Sequence, residues 1–185
     1  VAYNKINKNY GAMRADLFRY CVLYIMGGFY IDITLILPNN LNTLDLNIDA
    51  YLVPINRKNL YRKRTTSYTM YEQWAMLFKP YHPYLKTIIK NITYNILNNV
   101  IPSYDIKWYE LLVDHPNPRI GSLSPYKHAV LHITGPDAFS KYINECDPKR
   151  HSDLHIDRII EDHIKKNVYK NKKHYSELKE AIYTN

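Results

Sequence analysis

At 185 residues and 46% hydrophobic side chains, the chain has the size of one ordinary domain and enough apolar material for a real core, which excludes a disordered or fibrous protein. A net charge of +8 suits an anionic partner such as nucleic acid, anionic lipid or a diphosphate, but the abundance of Lys, Asn, Tyr and Ile reads as general compositional bias and weakens the nucleic-acid reading. The two cysteines, Cys21 and Cys146, are neither a disulfide framework nor a metal spacing, and the longest apolar stretch is broken by Gly27-Gly28 and contains Asp32, so no membrane-spanning helix is predicted.

Val1 to Tyr10 alternates Asn, Lys and Tyr and lacks the apolar core of a signal peptide. A start at Val rather than Met points to a segment of a longer protein and leaves localisation open. From Ala12 to Met26, Met13, Leu17, Cys21 and Tyr24 recur every three or four positions, which predicts a helix closed by Gly27, with Gly28 starting a turn. Phe29 to Leu37 is rich in β-branched and aromatic residues, ends at Pro38, and predicts a buried strand carrying Asp32 near its middle.

Ala50 to Ile55 predicts a second strand, and Asn56 to Thr69, with the Arg57 to Arg64 basic cluster, a loop. Tyr71 to Phe78 fits a strand or a short helix, whereas Pro83 to Val100 has helical spacing behind a first-turn proline. After a proline-rich connection, Ala129 to Thr134 is a strand candidate, and Gly135-Pro136-Asp137 turns into a helix over Ala138 to Asn144. The last forty residues are polar, helical or irregular, and no solenoid repeat is present. Alternating strands and helices predict a single α/β domain over residues 1–185.

Asp16 and Arg19 share one face of the predicted helix, and the glycine turn brings Asp32 back towards them. Carboxylates accept hydrogen bonds from sugar hydroxyls, and a guanidinium donates a fixed fork to hydroxyl or phosphate oxygens. Spacing alone nevertheless favours a plain Asp16–Arg19 salt bridge beside one buried, hydrogen-bonded aspartate. The histidines His82, His132, His151, His155 and His163 show no metal-ligand spacing, and the Asn91-Ile92-Thr93 sequon falls inside a predicted amphipathic helix.

The ordered run Ala15-Asp16-Leu17-Phe18-Arg19-Tyr20, Leu23-Tyr24, Gly27-Gly28-Phe29-Tyr30 and Ile31-Asp32-Ile33-Thr34 resembles the DXD sugar-binding glycosyltransferases of family 32, which include initiating α-mannosyltransferases and capsular-type polysaccharide transferases. Gln73-Trp74 with Pro80-Tyr81-His82-Pro83, and Thr134-Gly135-Pro136, resemble two further blocks of that family in the right order. The resemblance spans most of residues 9–142. It implies a GT-A-like fold, a nucleotide-sugar donor (UDP- or GDP-sugar), a glycan or glycosylated acceptor, a divalent cation (Mn²⁺ or Mg²⁺), and hexosyl transfer with retention.

Carried over residue by residue, Asp16 and Arg19 would hold the donor sugar, Tyr20, Gly28 and Gly135 would belong to the same substrate site, and Asp32, the catalytic candidate, would contact ribose and sugar or help to organise the metal. His174 would reach back to the metal or diphosphate, or else belong to an exposed charged tail. Thr34 stands where the family has its second acid, and a neutral hydroxyl is a poor ligand for a hard cation. With eleven residues before the first main helix, the resemblance also implies that the N-terminal half-sheet that cradles the base is missing. These departures motivate the alternative of a non-catalytic relative; the charge and the aromatic content motivate a basic nucleic-acid-binding module.

Overall fold

The computed structural model describes residues 1–33, 44–45, 47–54, 69–102, 125–146, 151–153 and 181–184, with backbone alone for 125–128. Its elements in chain order are α1 (Ala2–Lys5), α2 (Gly11–Met26), β1 (Gly28–Ile31), β2 (Ala50–Pro54), β3 (Tyr71–Phe78), α3 (Pro83–Leu97), α4 (Pro125–Ile133), α5 (Pro136–Asn144) and β4 (His151–Asp153). This is a mixed α/β architecture, as the alternation of patterns predicts.

Helix α2 buries Met13, Leu17, Tyr20 and Leu23 together with Asp16. Gly27 closes it at φ 65°, donating its N–H to the Leu23 carbonyl at 2.8 Å. A side chain at Gly27 would meet Pro80 Cδ at 2.6 Å and the Phe78 carbonyl at 2.9 Å, so the residue serves both the left-handed turn and the close passage of the chain leaving β3. Gly28 is already the first residue of β1, at φ 102°.

The described strands form one sheet in the order β1-β3-β2-β4. β3 pairs antiparallel with both β1 and β2, and β4 runs parallel to β2. Alternation separates the two faces. Ala50, Leu52 and Tyr30 join the main core with α2, α3 and α5, whereas Tyr51, Val53, Phe29 and Ile31 form a smaller cluster. Helix α3 is capped by His82, whose Nδ1 accepts the Tyr84 N–H at 3.2 Å, and it buries Tyr84, Leu85, Ile88, Ile92 and Ile96. The C-terminal end returns to the N-terminal segment, where Asn7 N–H donates to the Ile182 carbonyl and Thr184 N–H to the Lys5 carbonyl.

Three expectations need correction or completion. Ala129 to Thr134 is not a strand: it is the end of α4 and the turn after it, and Ala129, Val130, Leu131, His132 and Ile133 are all buried. A helix buried all round loses the apolar–polar period by which helices are recognised. The strand expected over Phe29 to Leu37 as a buried element is described only as Gly28–Ile31, is half-exposed, and ends one residue before Asp32. Tyr71 to Phe78, left open between strand and helix, is a strand. Thr34, His174 and the Arg57 to Arg64 cluster lie outside the described residues. Cys21 and Cys146 are free thiols, and no helix among the described residues is long and apolar enough to cross a membrane.

Candidate functional site

The α2–β1 turn brings Asp16, Arg19 and Asp32 together as a ladder of alternating charge. Arg19 Nη1 lies 3.3 Å from Asp16 Oδ1, and its Nη2 lies 3.6 Å from Asp32 Oδ1. Exposure rises along the ladder: the Asp16 and Arg19 side chains are each 10% exposed, the Asp32 side chain 40%. The inner pair is thus withdrawn from water while the outer carboxylate stands at the surface.

Tyr30 supports the outer rung. Two positions before Asp32, it lies on the same side of the extended chain, donates its hydroxyl to Asp32 Oδ1 at 2.6 Å, and sets its ring 4.2 Å beneath the Arg19 guanidinium. Asp32 N–H donates to the Trp74 carbonyl at 2.7 Å. Both side-chain contacts of Asp32 converge on Oδ1, and Oδ2 has no partner among the described residues.

An irregularity in β3 supplies the inner support. Leu52 of β2 opposes Met76, but the next residue, Val53, opposes Glu72, so Gln73, Trp74 and Ala75 fall outside the β2 register. The Gln73 carbonyl accepts from Arg19 Nη1 at 3.1 Å. The Gln73 side-chain amide donates to the Thr134 carbonyl at 3.0 Å and to the Tyr20 hydroxyl. Tyr20 donates to the same Thr134 carbonyl at 2.8 Å and stacks on Phe139, with ring centroids 5.7 Å apart. The Thr134 hydroxyl donates to Asp16 Oδ2 at 2.9 Å.

The electrostatics follow from this placement. Burial raises the Asp16 carboxyl from 3.8 to about 6, against the opposing pull of Arg19 and of the Thr134 hydrogen bond. Burial alone would lower the Arg19 guanidinium, but Asp16 first, then Tyr20, Tyr30 and Asp32, outweigh it and hold the cation more firmly. The Tyr20 phenol is pushed well above its ordinary value by burial, and Tyr30 is raised to about 12 by burial and by its bond to Asp32.

The structure therefore assembles Asp16, Arg19 and Asp32, and it places Tyr20 fully buried behind them. The Gly135 N–H is bonded to the Val130 carbonyl at 3.0 Å, and a Cβ there would meet Leu131 Cα at 2.7 Å, so close helix packing accounts for this glycine. Gly28 has open space around its α-carbon. Gln73, Tyr30 and Thr134 join the site without having been singled out as site residues by spacing. Two signals were available: Gln73 is a polar residue at an inward position of an alternating strand, and Tyr30 is two positions from Asp32. Among the described residues no group of three or more His, Cys, Asp or Glu side chains could hold a metal ion.

Comparisons with known proteins place this constellation in context. Residues 2–51 match the family described as "Glycosyltransferase sugar-binding region containing DXD motif", a match that contains Asp16, Arg19, Tyr30, Asp32 and Thr34. No curated protein matches the chain. Among solved structures, "PaToxG Glycosyltransferase" is 18% identical at a TM-score of 0.48, over 76% of this chain and 38% of its own. The chain thus spans 38% of the length of that structure.

Proposed function

We propose that the chain carries the donor-sugar site of a glycosyltransferase with a GT-A-like fold, moving a hexose from a nucleoside diphosphate to a glycan or other acceptor. The observation that carries this reading is the clamped Asp32. Tyr30 and Arg19 hold its Oδ1, so Oδ2 is presented in a fixed direction at the surface as an acceptor for a sugar hydroxyl. The family-model match over residues 2–51 supports the same reading.

Within it, Arg19 Nη2 offers a donor to hydroxyl or phosphate oxygens beside Asp32, and Asp16 fixes the guanidinium plane from behind. Rate acceleration comes from holding the donor in place and from stabilising charge on the departing diphosphate. In a retaining transfer the bond between the anomeric carbon and the phosphate oxygen breaks, the acceptor oxygen bonds to the same face, and its proton passes to the leaving phosphate. No base is asked of Asp16, both of whose oxygens are already engaged.

A divalent cation, Mn²⁺ or Mg²⁺, is the cofactor implied by this reading. Asp32 Oδ2 fits it as a single oxygen ligand, since such ions use one or two carboxylates and complete their shell with phosphate oxygens and water. Bound there, the cation would neutralise charge on the diphosphate, a task for which Thr34 is a weaker second ligand than a carboxylate.

The test is thermal unfolding of the protein against UDP- and GDP-hexoses, with and without Mn²⁺. A donor at a hundred times its dissociation constant adds about 2.7 kcal/mol, a shift of several degrees. The expected result is a shift selective for one donor that Asp32→Ala abolishes. A folded protein that responds to no donor would instead favour a non-catalytic relative.

A further inference from the structure

In the Thr-Gly-Pro turn between α4 and α5 the first residue, Thr134, is fully buried, with its hydroxyl on Asp16 of the ladder and its carbonyl on the two side chains behind it. The Thr134 carbonyl takes two hydrogen bonds, from Tyr20 and from Gln73. Those two donors are themselves bonded to each other, so the Thr134 backbone is held by a closed triangle of contacts from α2 and β3. Gly135 lets the turn lie against the Val130–Leu131 backbone, and Pro136 opens α5. The result is a hydroxyl whose position is fixed from both ends.

That hydroxyl has two acceptors within reach, Asp16 Oδ2 at 2.9 Å and the Val130 carbonyl at 3.5 Å, and a single proton to give. The nearer and charged acceptor takes it while Asp16 is ionised. When Asp16 carries a proton on Oδ2, that proton donates to Thr134 Oγ1, and the threonine proton is left with the Val130 carbonyl at 3.5 Å, which already accepts the Thr134 and Gly135 N–H groups. One hydroxyl thereby meets the buried carboxyl in both protonation states, as donor to the carboxylate and as acceptor from the acid.

We propose that Thr134 is a positioning residue of the donor-sugar site, its hydroxyl fixing the rotamer and the charge of Asp16 and, through Asp16, the plane in which Arg19 meets the ligand. This rests on the donor-site reading above for the ligand, but not for the Thr134–Asp16 coupling, which is a property of the protein without donor. The direction of Asp16's titration agrees with it, since the Thr134 bond is one of the two influences that lower that carboxyl.

The test follows the Asp16 carboxyl carbon by NMR across pH in wild type, Thr134→Val and Thr134→Ser, and measures the affinity of each for the donor picked out by thermal shift. Thr134→Val is expected to raise the Asp16 midpoint and to weaken donor binding about tenfold, the effect of losing one charge-assisted hydrogen bond. Thr134→Ser is expected to restore both. A midpoint unchanged in Thr134→Val overturns the coupling, and a changed midpoint with unchanged affinity overturns the positioning role. If Thr134→Val does not fold, the buried Thr134 hydroxyl proton in the wild-type protein decides: it must shift through the same midpoint as Asp16, and independence of the two refutes the proposal. If the wild-type protein binds no donor, the donor-site reading and the positioning role that rests on it both fall, while the midpoint still decides the coupling by itself.

Discussion

Replacing Arg19 with methionine separates the charge held by the ladder from the volume it fills. The two side chains are similar in length and both suit a half-apolar channel, so packing is largely kept. What is lost is the cation between Asp16 and Asp32, the donor to the Gln73 carbonyl, and the contact over Tyr30. Removing one partner of a buried ion pair costs about 3–5 kcal/mol when the other must stay charged.

Here the other partner can escape. Asp16 is raised from 3.8 to about 6 in the folded protein, so it binds its proton more tightly folded than unfolded. Its contribution to stability is complete below about pH 4 and is lost as pH rises through 6, a swing of about 3 kcal/mol from this group. At pH 5 Asp16 is mostly neutral, and Arg19→Met forfeits the Gln73 hydrogen bond, the ring contact and the half-exposed pairing with Asp32, about 1–3 kcal/mol in all. At pH 8 the wild-type carboxylate leans on Arg19, and the variant loses about 3–5 kcal/mol. Urea denaturation at the two pH values reads the difference through the midpoint, with an unchanged slope showing that the unfolded state is the same. Equal losses at pH 5 and pH 8, or a difference between the two losses that is as large in the Asp16→Asn background as in the wild type, would refute the reasoning.

Two further outcomes are expected. Gly135→Ala pushes a methyl group against backbone atoms of Leu131 and Val130 that cannot swing aside, and should cost about 1–3 kcal/mol in chemical denaturation; a neutral result would mean that α4 and α5 can move apart freely. His132 contacts Asp137 at 3.1 Å and the Pro102 carbonyl at 3.0 Å; burial lowers its pKa, but the Asp137 hydrogen bond and the Pro102 carbonyl outweigh that and leave it raised. Its stabilisation is therefore fully present below pH 6.5 and lost as pH rises through the higher folded value, and His132→Asn should flatten that part of the stability–pH curve.

Elements with one wet face were legible in the sequence because their period survives. Helix α2 with its glycine stop and the proline-led helix α3 lie where the patterns put them, within a few residues at their ends, and the strand at Ala50–Pro54, buried on both faces, was legible instead as a short apolar run. The pairing of Asp16 with Arg19 was equally local, being three residues apart on one helix, and the short glycine turn brought Asp32 into reach. What only the tertiary structure decided is of another kind. In helix α4 the run Ala129–Ile133 is buried at every position, so this apolar stretch carries no period and reads as well as a strand. Thr134 meets Asp16 across 118 positions of sequence, and the Gln73 side-chain amide meets the Thr134 carbonyl across 61. Local pattern records which face of an element avoids water; it holds no record of which distant polar group will satisfy a buried carboxylate. That choice is made when helix, sheet and turn pack together, and in this protein it determines the charge of Asp16 and hence how Arg19 and Asp32 are presented.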